Sequence, residues 1–299
     1  MMRCSKIVSE HRSAWIGLII TVAAFLPLTH AFSADSRDGR GFVTESVSPD
    51  GVVDWTSGVV TATGVGFPPT DAVSTLHAQK MAKRAALGVA QRNLLEAIGA
   101  VRVDSVTLVN NYIVKSDEIR TSIQGLVENA KIVKERELEK GAYEITLEMK
   151  LTGKTSVMFA PKDAPMPKRI VPEQPVKVKP GRAYTGLVVD ARGTGLLPAM
   201  APRILNEDGI EAYSQTYVQP AKLTDQGIVA YVPDMPSAEA NPRVTNYPLV
   251  VKAVKIANSG RSDLVISNAD AQTIHGVPEH FQFLEKGQVI IVMDSAKVH

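Results

Sequence analysis

The alternation of apolar and polar residues after position 50 predicts a strand followed by a long helix. Val52 to Thr63 alternates as a half-buried strand does. Gly64 and Gly66 predict a turn after this strand, and Thr70 is a suitable N-cap for the helix. The helix is predicted over residues 71–98, where a stripe recurs at steps of four: Ala78, Ala82, Ala86, Ala90, Leu94 and Ile98. Such a stripe forms a helix face that packs closely on a sheet, and Gly99 is placed to end the helix.

The chain from 104 to 151 is expected to complete that sheet. Residues 104–127 are ambiguous between helix and strand, because their apolar positions fit both periods; we expect a short helix over 104–114 and then a long strand. Residues 131–139 and 142–151 predict a hairpin around Lys140-Gly141. The expected N-terminal fold is therefore α+β, with one long helix on a small antiparallel sheet.

A proline-rich stretch separates this region from the rest of the chain. Six prolines interleaved with lysines lie within residues 159–181 and predict a semi-rigid, extended linker. Beyond the linker the apolar runs predict a turn at residues 206–209, a short helix over 268–275, and strands over 185–191, 202–205, 211–217, 228–232, 249–256, 264–266 and 289–293. We therefore expect a mostly β C-terminal domain.

The N-terminus has the pattern of a secretory signal peptide. Basic residues precede an apolar run from Trp15 to Leu28, and small residues follow it, which predicts cleavage after Ala31 or Ser33. The run is too short for an ordinary membrane span, and an uncleaved anchor is the alternative interpretation. The expected organisation is a signal peptide (1–33), a flexible leader (34–51), an α+β domain (52–158), the linker (159–181) and the C-terminal domain (182–299), with no transmembrane span after cleavage.

Cysteine content and charge narrow the class of protein further. The single cysteine, Cys4, precedes the apolar run, so the mature chain would have no disulfide, no thiol nucleophile and no lipid-modified cysteine. Export without disulfides fits a bacterial periplasm better than a small secreted domain held together by disulfides. The full chain has 33 basic and 31 acidic residues, and removal of residues 1–33 takes away three basic residues and one acidic residue. The remaining 30 basic and 30 acidic residues give a net charge near zero, which does not support nucleic-acid binding.

Some residues could bind a metal or a phosphate, but none belongs to a complete motif. His275 and His280, with Glu279, form the tightest candidate metal-ligand set, although their spacing is not that of HExxH. The sequence Gly64-Val65-Gly66 before a helix resembles a phosphate-binding turn, yet Pro69 stands where a dinucleotide fingerprint needs glycine. A solvated loop explains the histidines better, and a strand-to-helix turn explains the glycines better.

The remaining candidate catalytic or binding residues are also better explained by structural roles. Asp190 and Arg192 predict a local ion pair at a strand end. Ser57, Ser74 and Ser156 lie outside any GxSxG nucleophile elbow. Trp55 is expected to anchor a core. We therefore predict no catalytic, cofactor-binding or metal-binding residue, no cofactor, and a protein that is not an enzyme.

The region from about 52 to 152 resembles a known family. The resemblance depends on Asp54-Trp55, Gly58, Ala62-Thr63-Gly64, Gly66, the alanine-rich helix ending Asn93-Leu94-Leu95-Glu96, Val127, Ala130, Ile132-Val133, Gly141 and Tyr143-Glu144-Ile145. This pattern resembles the LPP-type outer-membrane lipoproteins, which include the flagellar protein P lipoproteins, and is similar to the N-terminal domain of flagellar assembly protein T. The chain departs from the lipoprotein members because it lacks a lipobox cysteine.

The resemblance implies an envelope structural protein without catalytic residues. We therefore expect a non-catalytic structural protein, either periplasmic or associated with the outer membrane, that acts in flagellar basal-body or envelope assembly. Its expected partners are copies of itself, which could form a ring, and envelope or basal-body proteins, but no nucleic acid. The alternative is an envelope binding module that recognises peptidoglycan, a lipid or a partner protein. A third interpretation, a hydrolase that uses Asp190, would require a second carboxylate close by.

Overall fold

The computed structural model describes residues 41–159, 170, 183–257 and 259–295. The predicted signal peptide, the first part of the predicted leader and almost all of the predicted linker lie outside the described residues. From residue 40 onward the chain forms one compact unit. Within it, an antiparallel sheet covered by a long helix precedes a second region made mostly of strands. The predicted fold class, α+β followed by a mostly β region, is confirmed.

The first sheet has the strand order β1-β2-β3-β5-β4, and every neighbouring pair is antiparallel. Its strands are β1 (Thr44–Ser48), β2 (Gly51–Asp54), β3 (Val59–Gly66), β4 (Lys131–Glu137) and β5 (Tyr143–Lys150). The predicted β4–β5 hairpin is confirmed, and Lys140 and Gly141 form its turn with φ values of 59° and 74°. Strand β1 lies within the predicted flexible leader (34–51). This part of the chain belongs to the sheet instead, because β1 pairs with β2 and follows the fully buried Val43.

The predicted single strand over residues 52–63 is wrong, because Asp54 closes a turn within it. The Asp54 carboxylate accepts hydrogen bonds from the backbone N–H groups of Thr56 at 2.9 Å and Ser57 at 3.2 Å. Gly58 ends the turn with a φ of 65°, a conformation that favours glycine. The chain therefore folds back here, and β2 pairs with β3.

The predicted turn at Gly64 and Gly66 is also wrong, since both glycines belong to β3. They allow helix α1 (Thr75–Gly99) to approach the sheet. A Cβ atom on Gly64 would lie 2.1 Å from the Ala90 nitrogen, and one on Gly66 would lie 2.2 Å from the Ala82 carbonyl oxygen. The predicted stripe on α1 forms this contact, and its members from Ala82 onward are buried.

Helix α1 begins later than predicted. Its N-cap is Ser74 rather than Thr70, because the Ser74 hydroxyl accepts a hydrogen bond from the His77 N–H at 3.2 Å. Two short helices, α2 (Val109–Lys115) and α4 (Lys154–Met158), lie in the same half of the chain. The end at Gly99 is as expected.

The long strand expected after residue 114 is instead helix α3 (Asp117–Glu128). Ser116 is its N-cap, and its hydroxyl accepts a hydrogen bond from the Ile119 N–H at 3.3 Å. Ile123 and Val127, one helical turn apart, are its buried residues. The Ser116-Asp117-Glu118 sequence was the local signal for a helix start that the alternating pattern obscured.

The second sheet has the strand order β8-β7-β11-β10-β6-β12-β9. Its elements in chain order are β6 (Leu187–Asp190), β7 (Ile204–Leu205), β8 (Glu211–Tyr213), α5 (Pro220–Gln226), β9 (Ala230–Val232), α6 (Met235–Glu239), β10 (Leu249–Ile256), β11 (Leu264–Ile266), α7 (Asn268–His275), α8 (His280–Glu285) and β12 (Val289–Val292). Each strand lies within a predicted apolar run, and α7 is the predicted short helix.

Four adjacent strands of the second sheet, β10, β6, β12 and β9, are parallel. The runs Leu187–Val189 and Val289–Val292 are fully buried, as strands covered on both faces require. The parallel arrangement was not predicted, because Leu187 pairs with Val289, about a hundred residues later in the chain. It brings the carboxyl ends of β6, β12 and β9 to one edge of the sheet.

Candidate functional site

The carboxyl edge of the parallel strands holds the charged pair that the sequence indicated. Asp190 is the last residue of β6. Arg192 folds back on it, with Nε 2.8 Å from Oδ1 and Nη2 2.7 Å from Oδ2, so the predicted ion pair is confirmed. The hydrogen bonds from Arg192 hold the pKa of Asp190 below its ordinary value.

Two further carboxylates belong to this carboxyl edge. Asp234 follows β9 and Asp294 follows β12. The pKa of Arg192 is raised mainly by Asp190 and to a smaller extent by these two carboxylates. Asp294 also accepts a hydrogen bond from the Gly193 N–H at 2.7 Å. Ligands of open α/β sheets bind outside the carboxyl ends of the strands, and this edge has the charge to hold a cationic or hydroxyl-bearing ligand.

The two histidines of the candidate metal set do not lie in a solvated loop, as expected from the sequence, because both are buried and both contact the backbone. His275 Nδ1 accepts a hydrogen bond from the Ile170 N–H at 2.8 Å, and its Nε2 lies 2.8 Å from the Ala212 carbonyl oxygen. His280 Nδ1 lies 3.0 Å from the Thr273 carbonyl oxygen, and burial lowers the pKa of His280. Among the described residues, no group of three or more His, Cys, Asp and Glu side chains is arranged to hold a metal ion.

The serine hydroxyls also make structural contacts. Ser57 Oγ donates a hydrogen bond to the Asp54 carboxylate at 2.6 Å, and Ser156 Oγ donates one to the Leu223 carbonyl at 2.9 Å. Ser74 is the N-cap of α1. Each hydroxyl is therefore used to hold a turn, a helix end or a contact between segments.

Trp55 lies where the two sheets meet. Its ring contacts that of Tyr231 edge-on, with centroids 5.8 Å apart. Its Nε1–H donates a hydrogen bond to the Glu45 carboxylate at 3.0 Å, and Glu45 forms an ion pair with Arg102. Arg102 Nε in turn donates to the Pro198 carbonyl at 2.9 Å. An anchoring role was expected for Trp55, and the structure shows that it anchors two sheets to each other.

Backbone hydrogen bonds continue this junction. We call the whole junction the seam: the Trp55–Tyr231 contact, and residues 102–105 against residues 198–203 and 260–263. The Met200 N–H donates to the Arg102 carbonyl at 3.0 Å, and the Ala201 N–H donates to the Val103 carbonyl at 2.7 Å. These bonds join the two halves of the chain through their backbones. Sequence patterns gave no indication of the seam, because its partners lie far apart in the chain: 96 residues for Arg102 and Pro198, and 158 for Ser105 and Asp263.

A buried carboxylate lies at the centre of the seam. Asp263 is fully buried and accepts hydrogen bonds from Ser105 Oγ at 2.9 Å and from the Arg203 guanidinium at 2.6 Å. Beside it, Gly260 approaches the Ser105 backbone so closely that a Cβ atom on Gly260 would lie 1.5 Å from the Ser105 oxygen. The seam therefore depends on a charge pair and on a position that only glycine fits.

A second surface was missed by the sequence analysis. From the end of β3 into the first turn of α1, residues 67–76 form a segment that we call the apolar loop, in which Phe67, Val73 and Leu76 are 73%, 87% and 61% exposed. An open cleft of about 460 Å³ lies between this segment and the β4–β5 turn, with Pro68 and Lys140 among its lining residues. Exposed apolar groups of this kind mark interaction sites more often than isolated surface residues do.

Comparison with known protein families places part of the chain. Residues 186–295 match a family model described as the second domain of Treponema pallidum Tp0624. The matched stretch covers the whole second sheet with its carboxyl edge, whereas the first sheet and the apolar loop lie outside it. No curated protein matches the chain. In the part of the chain that the structure describes, no helix combines the length and the apolar character needed to cross a bilayer.

Proposed function

We propose that this protein is an exported, non-catalytic structural component of the bacterial envelope, located in the periplasm or against the outer membrane. Two features of the sequence support this location: the signal-peptide pattern of residues 1–33 and the resemblance of residues 52–152 to outer-membrane lipoproteins and a flagellar assembly protein. In this proposal the protein takes part in assembling the flagellar basal body or another envelope structure, and it acts through its surfaces.

The observation that carries the proposal is the seam. Backbone hydrogen bonds, an aromatic contact and the hydrogen bond from Ser105 to the buried Asp263 hold the two halves of the chain together. Such a junction keeps the outer surfaces of the first sheet and the carboxyl edge of the second sheet at a fixed spacing. A component that bridges two partners in an assembly requires this property, because a loose junction would make the bridge entropically costly.

Self-association is part of the proposal, and one sheet edge is poorly suited to it. Strand β4 is the outermost strand on one side of the first sheet, and all of its residues are exposed. Its sequence Lys-Ile-Val-Lys-Glu-Arg-Glu has five charged residues, and its register shifts between Ile132 and Lys134. Charges and bulges both discourage edge-to-edge pairing. We therefore expect copies of the chain to meet through a surface other than the edge of β4.

The test combines a clean gene deletion with envelope fractionation and cross-linking mass spectrometry. We expect the protein to co-fractionate with the envelope and to cross-link to itself and to neighbouring envelope or basal-body proteins. We also expect the deletion to impair motility or envelope integrity. In the deletion strain, a gene copy with Gly88→Ala should restore normal motility and envelope integrity. A copy with Gly260→Ala, which disturbs the seam, should not. Unchanged motility, envelope integrity and basal-body images in the deletion strain would contradict the proposal.

A second candidate function, an envelope binding module, is favoured by the carboxyl edge of the second sheet. Asp190, Asp234 and Asp294 surround Arg192 there, at the position where open α/β sheets bind ligands. We would measure co-sedimentation of the protein with peptidoglycan. Asp294→Asn should weaken co-sedimentation, and Asp225→Asn on the exposed side of α5 is the matched control. Equal binding by both variants would remove this candidate.

A further inference from the structure

The apolar loop exposes its large side chains almost completely. Phe67 and Val73 retain 73% and 87% of their accessible surface, so they project from the molecule rather than line a hollow. Pro68 and Pro69 restrict the backbone next to Phe67. A rigid protein partner would need a matching concave surface for these projecting groups. A lipid bilayer accommodates them without one, because its interface adapts to inserted apolar side chains.

The first half of α1 continues this surface with positive charge. Leu76, Lys80 and Arg84 follow each other at steps of four and therefore lie on one face of the helix, about 12 Å from end to end. Lys80 and Arg84 are exposed. Within the described part of the chain neither forms an ion pair, whereas Lys83 pairs with Glu135. The helix has no acidic residue before Glu96.

We propose that the apolar loop and the Lys80–Arg84 face of α1 bind an anionic lipid surface. Phe67, Val73 and Leu76 insert among the headgroups, and Lys80 and Arg84 contact the lipid phosphates. Apolar insertion flanked by basic residues is the combination by which peripheral proteins hold a charged membrane. This inference deepens the proposed function, since it rests on an envelope location and assigns the surface that would contact the membrane.

The test is co-sedimentation with large vesicles of either phosphatidylglycerol mixed with phosphatidylcholine or phosphatidylcholine alone. The protein is produced from Ala34 onward, so that the preceding apolar segment cannot contribute. We expect binding to the anionic vesicles that weakens with added salt, and little binding to phosphatidylcholine alone. The triple variant Phe67→Ser, Val73→Ser, Leu76→Ser should lower the partition coefficient at least about tenfold. Lys80→Gln should lower it about fivefold.

The matched control is Val106→Ser. Val106 is 84% exposed, close to the value for Val73, but it lies beyond the other end of α1. We expect Val73→Ser to weaken vesicle binding and Val106→Ser to leave it unchanged. Asp71→Asn should strengthen binding, because Asp71 is the acidic residue of the apolar loop. Circular dichroism would establish that each variant is folded.

Two results would overturn this inference. The first is a failure of vesicle binding or of its dependence on the apolar side chains. In that case either the protein sediments with neither vesicle at millimolar lipid, or the triple variant sediments as well as the unchanged protein. The second is a triple variant that alters the oligomeric state in light scattering while vesicle binding stays the same, which would assign the surface to a second copy of the chain. Neither result affects the deletion phenotype or the envelope cross-links, so the proposed function is tested separately.

Discussion

The close approach of Gly260 to Ser105 provides a direct test of the seam. A Cβ atom at position 260 would lie 1.5 Å from the Ser105 oxygen and 2.5 Å from the Ser105 carbonyl carbon, whereas ordinary contact begins near 3.4 Å. In Gly260→Ala the two backbones must therefore separate by about 2 Å. The backbone bonds of the seam and the Ser105–Asp263 bond would then exceed hydrogen-bonding distance. Three lost bonds at about 1 kcal/mol each predict a destabilisation of about 3 kcal/mol.

Urea unfolding followed by tryptophan fluorescence measures this effect at the relevant place. Trp15 and Trp55 are the two tryptophans of the chain, and a protein produced from Ala34 onward retains only Trp55, which contacts Tyr231 across the seam. We expect Gly260→Ala to lower the unfolding midpoint and to shift the emission of the folded protein to longer wavelength. A midpoint and emission equal to those of the unchanged protein would refute the argument.

The matched control is Gly88→Ala. Gly88 lies inside α1, and no heavy atom lies within 4 Å of the position that its Cβ would occupy. The substitution should therefore raise the free energy of unfolding by up to about 1 kcal/mol, since alanine favours the helix more than glycine does. A loss of stability in both variants would show that the effect of Gly260→Ala is not specific to the seam.

Three further outcomes are expected from the same geometry. Gly64→Ala or Gly66→Ala should destabilise the protein by about 3 kcal/mol or prevent folding, because each forces α1 away from the sheet; thermal melts that match those of the unchanged protein would contradict this. Burial keeps the pKa of His280 in the folded state below its ordinary value of 6.5, so the unfolded chain takes up the proton first. Stability present above pH 6.5 is therefore lost as the pH falls toward the folded-state pKa of His280. The Tm should drop more between pH 7.5 and pH 5 in the unchanged protein than in His280→Gln. Parallel pH profiles of the two proteins would show that protonation of His280 does not cause the loss of stability. Asp263→Asn should cost about 1–2 kcal/mol, because it weakens the charge-assisted hydrogen bonds to Arg203, whose side chain is 44% exposed. A double-mutant cycle with Arg203→Met should show coupling between the two residues, whereas additive effects would show that the pair is energetically minor.

Elements controlled by neighbouring residues could be predicted from the sequence. The stripe of α1 was correct because helical spacing alone places its residues on one face. The turn at Lys140-Gly141 and the short helix α7 were correct for the same local reason. Predictions failed where two periods fitted equally well, as in α3, or where a glycine served a distant contact, as at Gly64 and Gly66.

The candidate surfaces were less accessible to prediction. The ion pair of Asp190 and Arg192 could be predicted because the two residues are two positions apart, but its neighbours Asp234 and Asp294 come from other strands of the parallel set. The exposure of Phe67, Val73 and Leu76 depends on where α1 begins, and this was predicted four residues too early.

Local chemistry was therefore sufficient to establish the long helix, the hairpin and most of the strands, since each depends on residues within a few positions of one another. Tertiary structure alone decided the order of the strands, the role of the glycines in β3 and the seam that joins the two halves. The physical reason is that these features arise from contacts between segments separated by tens to hundreds of residues. A glycine in a sequence indicates freedom of the backbone, and only the folded chain shows that Gly64, Gly66 and Gly260 are required because another backbone lies against them.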